Sequence, residues 1–255
     1  MPHSSRRRQG QAQDYVTRAY RDFSPRDGLV AFRVVQGETD LYIRAERDFT
    51  EEASNAVRRC RKELTDYIQA HPAFRTSLEP LPPDAAAPPI VRDMLQAART
   101  ANVGPMAAVA GAVSDYVGGR LRRHCPEVMV ENGGDIHLSM KKATTVSIFA
   151  GPSPLSMRLG VSVRAEETPC GICTSSGTVG PSLSFGRADA VTVWAPTATL
   201  ADAAATAIGN LISAPEDMEP ALERAGEIPG LWGAVAILGD RVGWWGRIRV
   251  VRLRD

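Results

Sequence analysis

Glu131-Asn132-Gly133-Gly134-Asp135-Ile136 is one of two stretches whose reading decides this chain. The other begins at Cys173-Thr174-Ser175-Ser176-Gly177-Thr178 and ends in the helix-like run Ala195-Pro196-Thr197-Ala198-Thr199-Leu200-Ala201-Asp202-Ala203-Ala204-Ala205-Thr206-Ala207. Both gather hydroxyls, carboxylates and bare backbone, where a ligand or metal ion can sit; the remainder reads as globular scaffold. Asn and Gly favour positive φ, so Asn132–Asp135, between two strand-like runs, is a hairpin turn or an exposed nest of backbone N–H groups with Asp135 facing a ligand. Asp202 and Thr206, four apart on a helix, share a face. With a backbone carbonyl from another segment they give the oxygen-only ligation that magnesium or calcium prefers. The plainer reading makes Thr199 the helix N-cap, Asp202 a first-turn acid and Thr206 a half-buried hydroxyl.

The flanking sequence predicts an α+β fold, with mixed or antiparallel sheets packed against helices. Leu29–Val35 and Thr39–Glu46 read as a hairpin through Gln36-Gly37-Glu38. Phe49–Ala70 reads as an amphipathic helix capped by Thr50, with Glu51 and Glu52 in its first turn, and His71-Pro72 ends it. Residues 79–89, rich in proline and alanine, form a connector. Pro89–Arg99 and Met106–Arg122 are predicted helices, and small residues in the latter permit close packing or close approach of a ligand. Strands are expected at Val128–Val130, Ile136–Met140, Thr144–Phe149, Leu155–Arg164 and Ala190–Trp194. Helices follow at Thr199–Ser213 and Glu216–Ala225, then a closing hairpin of Gly233–Leu238 and Val242–Val251. Residues 1–24 read as an arm, and 25–255 as one domain.

The chain has 255 residues, 44% of them hydrophobic, enough for a sizeable core. Its formal charge of +1 sets up no field favouring nucleic acid or acidic membranes. The arginines near both ends (Arg6, Arg7, Arg8; Arg247, Arg249, Arg252, Arg254) read as solvated termini and an edge strand. No apolar run approaches the ~18 residues that span a bilayer. Arg6-Arg7-Arg8 resembles a twin-arginine start, but polar residues follow it. A cytoplasmic protein is expected, without nucleic-acid or membrane partners.

Cys170-Gly171-Ile172-Cys173 is a C-x-x-C followed by a stretch, Thr174–Gly180, that reads as loop. A thioredoxin-like site wants the first cysteine at a helix N-terminus, and zinc wants two further ligands. Cys173 as a single reactive thiol in a hydroxyl-rich loop is the stronger chemical reading; otherwise both cysteines are packing residues. The sequence holds no P-loop lysine pattern, no G-x-G-x-x-G after a strand and no histidine beside Ser175-Ser176 for a triad. Trp194, Trp232, Trp244 and Trp245 read as core or sheet packing.

Taken in order, five stretches resemble the ApbE superfamily, and specifically its shorter cytoplasmic branch. They are Thr39-Asp40-Leu41; Val103-Gly104-Pro105-Met106-Ala107; Glu131–Asp135; Cys173–Gly180; and Ser184-Phe185-Gly186 through Ala201–Ala207. The resemblance covers roughly residues 15–250 and implies the ApbE-like fold. It implies relatives that bind FAD and magnesium and move FMN onto a threonine of an acceptor protein. By that resemblance Asp202, Thr206 and the main-chain carbonyl near Ala107 match the metal ligands. Asn132, Gly133, Gly134 and Asp135 match the turn lining the flavin, and Thr174, Ser175, Ser176 and Gly177 match the Thr-Ser-Gly loop. Two departures stand out. Pro181-Ser182-Leu183-Ser184-Phe185-Gly186 occupies the place of the transferases' catalytic histidine element, and Ala108 stands where they carry a lysine.

Three functions follow as expectations. The first is binding of a flavin nucleotide, FAD or FMN, with Mg2+, carrying FMN transfer or pyrophosphate cleavage in the absence of the usual histidine. The second is sulfur handling by Cys173, since the resembling branch is associated with sulfide assimilation toward homocysteine. The third is a non-catalytic binding module. A nucleotide ligand, an acceptor protein and a homodimer are the expected partners.

Overall fold

The computed structural model describes residues 28–177 and 185–253. The expected arm and Pro181–Ser184, in the segment that replaces the histidine element, lie outside the described residues. Eleven strands and six α-helices are assigned among them. The first hairpin is β1 (Val30–Gln36) and β2 (Thr39–Ala45), with Gln36 facing Thr39 across a turn at Gly37, φ 56°. Helix α1 (Thr50–Ala70) buries Ala53, Ala56, Val57, Cys60 and Leu64 along one stripe. Thr50 is not its cap: Phe49 holds that position, and Asp48 Oδ1 accepts the Thr50 N–H at 2.7 Å. A short turn of helix, α2 (Ala73–Thr76), precedes α3 (Pro89–Ala101).

The expected Met106–Arg122 helix is two pieces. A 3-10 turn at Pro105–Ala108 precedes α4 (Val109–Leu121), and Ala108 breaks the path with φ −113° and ψ 5°. A proline in the first turn starts this segment, as its fixed φ favours. The break leaves Ala107 half-buried beside α4 rather than inside it. Next come β3 (Val128–Asn132) and β4 (Asp135–Ser139), then β5 (Thr144–Ser147), β6 (Leu159–Val163), β7 (Cys170–Ser175) and β8 (Ala190–Ala195). Strand β7 corrects the loop expected at Thr174-Ser175, because those residues complete a ladder with Thr192 and Val191 of β8. Helix α5 (Ala198–Gly209) is shorter than expected, and α6 (Met218–Ala225) follows. The last expected strand is also two, since Gly246, φ 81°, turns the chain between β10 (Arg241–Gly246) and β11 (Val250–Arg252), after β9 (Gly233–Leu238).

Eight strands form one sheet in the order β1-β2-β3-β4-β7-β8-β9-β10, and three form another, β11-β6-β5. Every assigned pairing is antiparallel. The alternation of strand side chains separates two cores. Val191, Val193 and Ala195 of β8 join Cys173 and the buried faces of α1, α3, α4 and α5. Ala190 and Trp194 join Cys170, Ile172, Val235 and Ile237 against Val161 and Val163 of the small sheet. Burying side chains of this size contributes about 1.5–3 kcal/mol each for Val, Ile or Leu. Trp194 packs edge-on against Trp232 as expected, but Trp244, on the outermost strand of the large sheet, is 59% exposed and lies outside both cores. No helix among the described residues is long and apolar enough to cross a membrane.

Candidate functional site

Gly133 and Gly134 join β3 to β4 with φ of 70° and 107°, the geometry of a two-residue hairpin turn. The Gly134 N–H is not offered to a ligand; Glu131 Oε1 accepts it at 2.9 Å. The turn is anchored from both sides. Thr174 N–H donates to the Gly134 carbonyl at 3.2 Å, and Asn132 Nδ2 donates to the Ala110 carbonyl in the first turn of α4 at 3.2 Å. Ser114 Oγ donates to the Asp135 carbonyl at 2.8 Å. Thr174 Oγ1 lies 2.9 Å from Thr192 Oγ1, and Ser175 and Ser176 are half-buried at the end of β7. Gly177, exposed, donates its N–H to the Ala188 carbonyl.

Helices α4 and α5 each carry a carboxylate into the other's first turn. Asp202 Oδ2, from α5, accepts the Gly111 N–H at 2.9 Å, and the Ala110 N–H also points to this carboxylate. Asp115 Oδ2, from α4, accepts both the N–H and the hydroxyl of Thr199, at 2.8 and 2.7 Å. Thr199 is therefore not the N-cap; Thr197 is, and its Oγ1 accepts the Leu200 N–H at 3.2 Å. Free N–H groups and the helix dipole both favour an anion at each site. The start of α5 comes this close to α4 and β7 because a glycine of each faces it. A Cβ on Gly111 would stand 2.2 Å from the Ala198 carbonyl oxygen, and one on Gly171 would stand 2.2 Å from the Ala198 nitrogen.

Burial pushes the Asp202 carboxyl up to about 7; the amides of Gly111 and Ala110 pull it down, and Asp115 adds to the rise. The group is half-buried by exposed area, so water still reaches part of it. Among the described residues its hydrogen-bond partners are the backbone amides of Gly111 and Ala110. Thr206, one turn further along α5, is half-buried too, and the 3-10 turn holding Ala107 packs on α5. A carboxylate, a hydroxyl and a main-chain carbonyl suit a hard cation that keeps several waters. Among the described residues no three His, Cys, Asp or Glu side chains gather into a metal cage, so a zinc-type site has no support there.

Cys170 and Cys173, three apart on β7, point to opposite faces of the sheet and enter different cores. The C-x-x-C is therefore not a redox pair, and all four cysteines are free and buried. Cys173 Sγ donates to the Ala198 carbonyl at 3.2 Å. Burial first, then the charges of Asp135, Asp202 and Asp115, push its thiol well above the ordinary range. This is a small packing residue under the first turn of α5, and the surroundings oppose the thiolate that a reactive role needs.

Two side chains at the centre of the cluster went unread in the sequence. Asp115 is the sole acid of α4, in an otherwise alanine- and glycine-rich helix, and that isolation was the available signal. His137 follows Asp135 on the same face of β4, and its Nδ1 stands 2.8 Å from Asp115 Oδ1. Gly118 makes room for its ring: a Cβ there would meet the imidazole at 2.3 Å. A cavity of about 290 Å3 lies elsewhere, between α1 and the end of α4, and shares no residue with this cluster.

The family whose model is described as AbpE bacteria matches residues 21–243. The UPF0280 protein of Methanothermobacter thermautotrophicus is 44% identical over 231 residues, covering 88% of each chain. That of Methanopyrus kandleri is 42% identical over 235 residues, covering 89% of this chain and 95% of its own. Among solved structures, the apo flavinyl transferase ApbE of Pseudomonas stutzeri superposes with a TM-score of 0.55 at 14% identity, covering 85% of this chain and 93% of that one. The ApbE protein of Thermotoga maritima gives 0.53 at 12% identity, covering 84% and 96%. At those identities the solved structures speak for the fold alone, and they match an antiparallel α+β architecture of this kind. The match over residues 21–243 and the sequence relatives carry the assignment further: the chain belongs to the bacterial AbpE family, within the ApbE-like superfamily.

Proposed function

We propose that the α4–α5 crossing and the β3–β4 turn form a site for a flavin nucleotide, FAD or FMN, held with Mg2+. The observation that carries this is the place of the Asp202 carboxylate: half-buried at the α4–α5 crossing against the Gly111 N–H, with Thr206 one turn along the same helix and the 3-10 turn of Ala107 packed on it. Burial pushes its carboxyl up. A divalent cation relieves that penalty, and Thr206 and the Ala107 carbonyl are the neighbouring hard donors. Bound Mg2+ would neutralise pyrophosphate oxygens and favour cleavage at phosphorus. The chain's own part is positioning. Asp202 orients the cation side, Asp135 and Asn132 border the turn, and the end of β7, from Thr174 to Gly177, would line the ligand beside it.

The reading is binding first, with FMN transfer to an acceptor protein or pyrophosphate cleavage as its chemistry. Ala108, at the place of the transferases' lysine, is fully buried and carries no charge. The sulfur-handling alternative has the geometry of Cys173 against it.

The test is incubation of the full chain with FAD, with and without Mg2+. Flavin retention and AMP release are measured, and Asp202→Asn is the control. Mg2+-dependent retention lost in Asp202→Asn supports the site. Absence of FAD binding at ~100 μM, roughly 5.5 kcal/mol of affinity, overturns it.

A further inference from the structure

We infer that Asp115 is the positioning residue of this site, fixing where Asp202 and Thr206 stand by pinning the first turn of α5 to α4 and β4. This rests on the cation and nucleotide reading above for its functional consequence, but the pinning is readable without a ligand. Asp115 spends both carboxylate oxygens on it. Oδ2 takes the N–H and hydroxyl of Thr199, which is buried, and Oδ1 takes the Nδ1–H of His137, 7% exposed. A carboxylate only accepts, so the imidazole carries its proton on Nδ1. His137 Nε2 is buried without a hydrogen-bond partner among the described residues. The polar recognition of that ring is thus directed at Asp115.

The geometry makes the pin a lever. Asp202 and Thr206 lie three and seven residues beyond Thr199, or ~4.5 and ~10.5 Å along the helix axis. A tilt of the first turn displaces both together. Strand β4 carries Asp135, at the turn, and His137, at the pin, on one face, so one strand registers the turn against the helix. Gly111 and Gly171 bring backbone against Ala198 on two sides, but bare backbone contact sets distance, not orientation. The hydrogen bonds of Asp115 supply orientation.

Cys173 reports on the pin in the ligand-free chain, because its thiol lies beneath the Ala198 carbonyl. Thr199→Val keeps the shape and the N–H but removes the hydroxyl; Thr199→Ser keeps both donors. Alkylation of native full-length chain, mapped by mass, should proceed roughly tenfold faster at Cys173 in Thr199→Val, the worth of one hydrogen bond to a charged acceptor. Cys60 and Cys170 should not change, and Thr199→Ser should restore the parent rate. Mn2+ alone, followed by loss of the free-ion EPR signal, should bind Thr199→Val roughly tenfold more weakly, again with rescue by serine. Asp115→Asn, which keeps the volume and loses the charge, serves if the valine variant does not fold. An unchanged Cys173 rate in both variants overturns the pin. Faster alkylation with unaltered Mn2+ affinity overturns the positioning role. If the parent chain binds neither Mn2+ nor FAD, the site reading itself falls, while the Cys173 rates still decide whether Asp115 pins α5.

Discussion

The first turns of α4 and α5 are each held by an acid from the other helix, yet the two acids stand in different situations. Asp115, at the start of α5, meets three donors, two of them side chains. Asp202, at the start of α4, meets backbone amides only among the described residues, and burial pushes it up to about 7. A carboxylate saturated by side-chain donors acts as a fixed part of the architecture. One capped by amides alone in a buried setting keeps a demand for positive charge. The same residue type thus serves as a pin on one side of the crossing and as a candidate ligand on the other.

The comparison breaks most completely if the crossing itself is removed. Gly171→Val places a branched side chain where a single Cβ already meets the Ala198 backbone at 2.2 Å. Overpacking of that kind should cost about 3 kcal/mol or more, read as a fall in denaturation midpoint. Asp115→Ala comes next. It strands the Thr199 hydroxyl and the His137 imidazole, and urea unfolding should show a loss of about 2–3 kcal/mol.

Asp202 should behave in the opposite sense. The unfolded carboxylate titrates at its ordinary 3.8 and the folded one at about 7, so the folded state retains a proton that the unfolded state has released. Stability from this group is full below pH ~4 and is lost as pH rises through ~7. Ligand-free chain should therefore be more stable at pH 5 than at pH 8 as far as this group contributes. Asp202→Asn should flatten that fall and gain about 1–2 kcal/mol at pH 8, after allowance for one weakened cap. A variant with the parent's pH profile would show that Asp202 is as settled as Asp115. The smallest effect is expected at Asn132→Ala, which frees the Ala110 carbonyl from the turn. About 1 kcal/mol should be lost, and hydrogen exchange should quicken at the start of α4 more than at the start of α5.

Much of this was legible in the chain. The β1–β2 hairpin and α1 announce themselves through local pattern, because alternation and helical spacing act over a few positions. Cys170–Ser175 did not, since Thr174 and Ser175 read as loop while the ladder with β4 and β8 is made across long separations. Gly246 split a predicted strand for the same reason: its turn passes the chain to another sheet, and nothing local requires that.

By itself the sequence determined the α+β class and the shared face of Asp202 and Thr206, because each follows from backbone preference and short-range period, and it left Gly133-Gly134 open between a turn and a nest. Only the tertiary structure decided that Asp202 caps α4, that Asp115 and His137 hold α5, and that Cys173 is buried beneath Ala198. Thr199 and Asp115 are 84 positions apart, and Asp202 and Gly111 are 91 apart. Contacts at such separation depend on how two helices cross over a sheet, at a distance that Gly111 and Gly171 permit, and no local preference encodes that crossing.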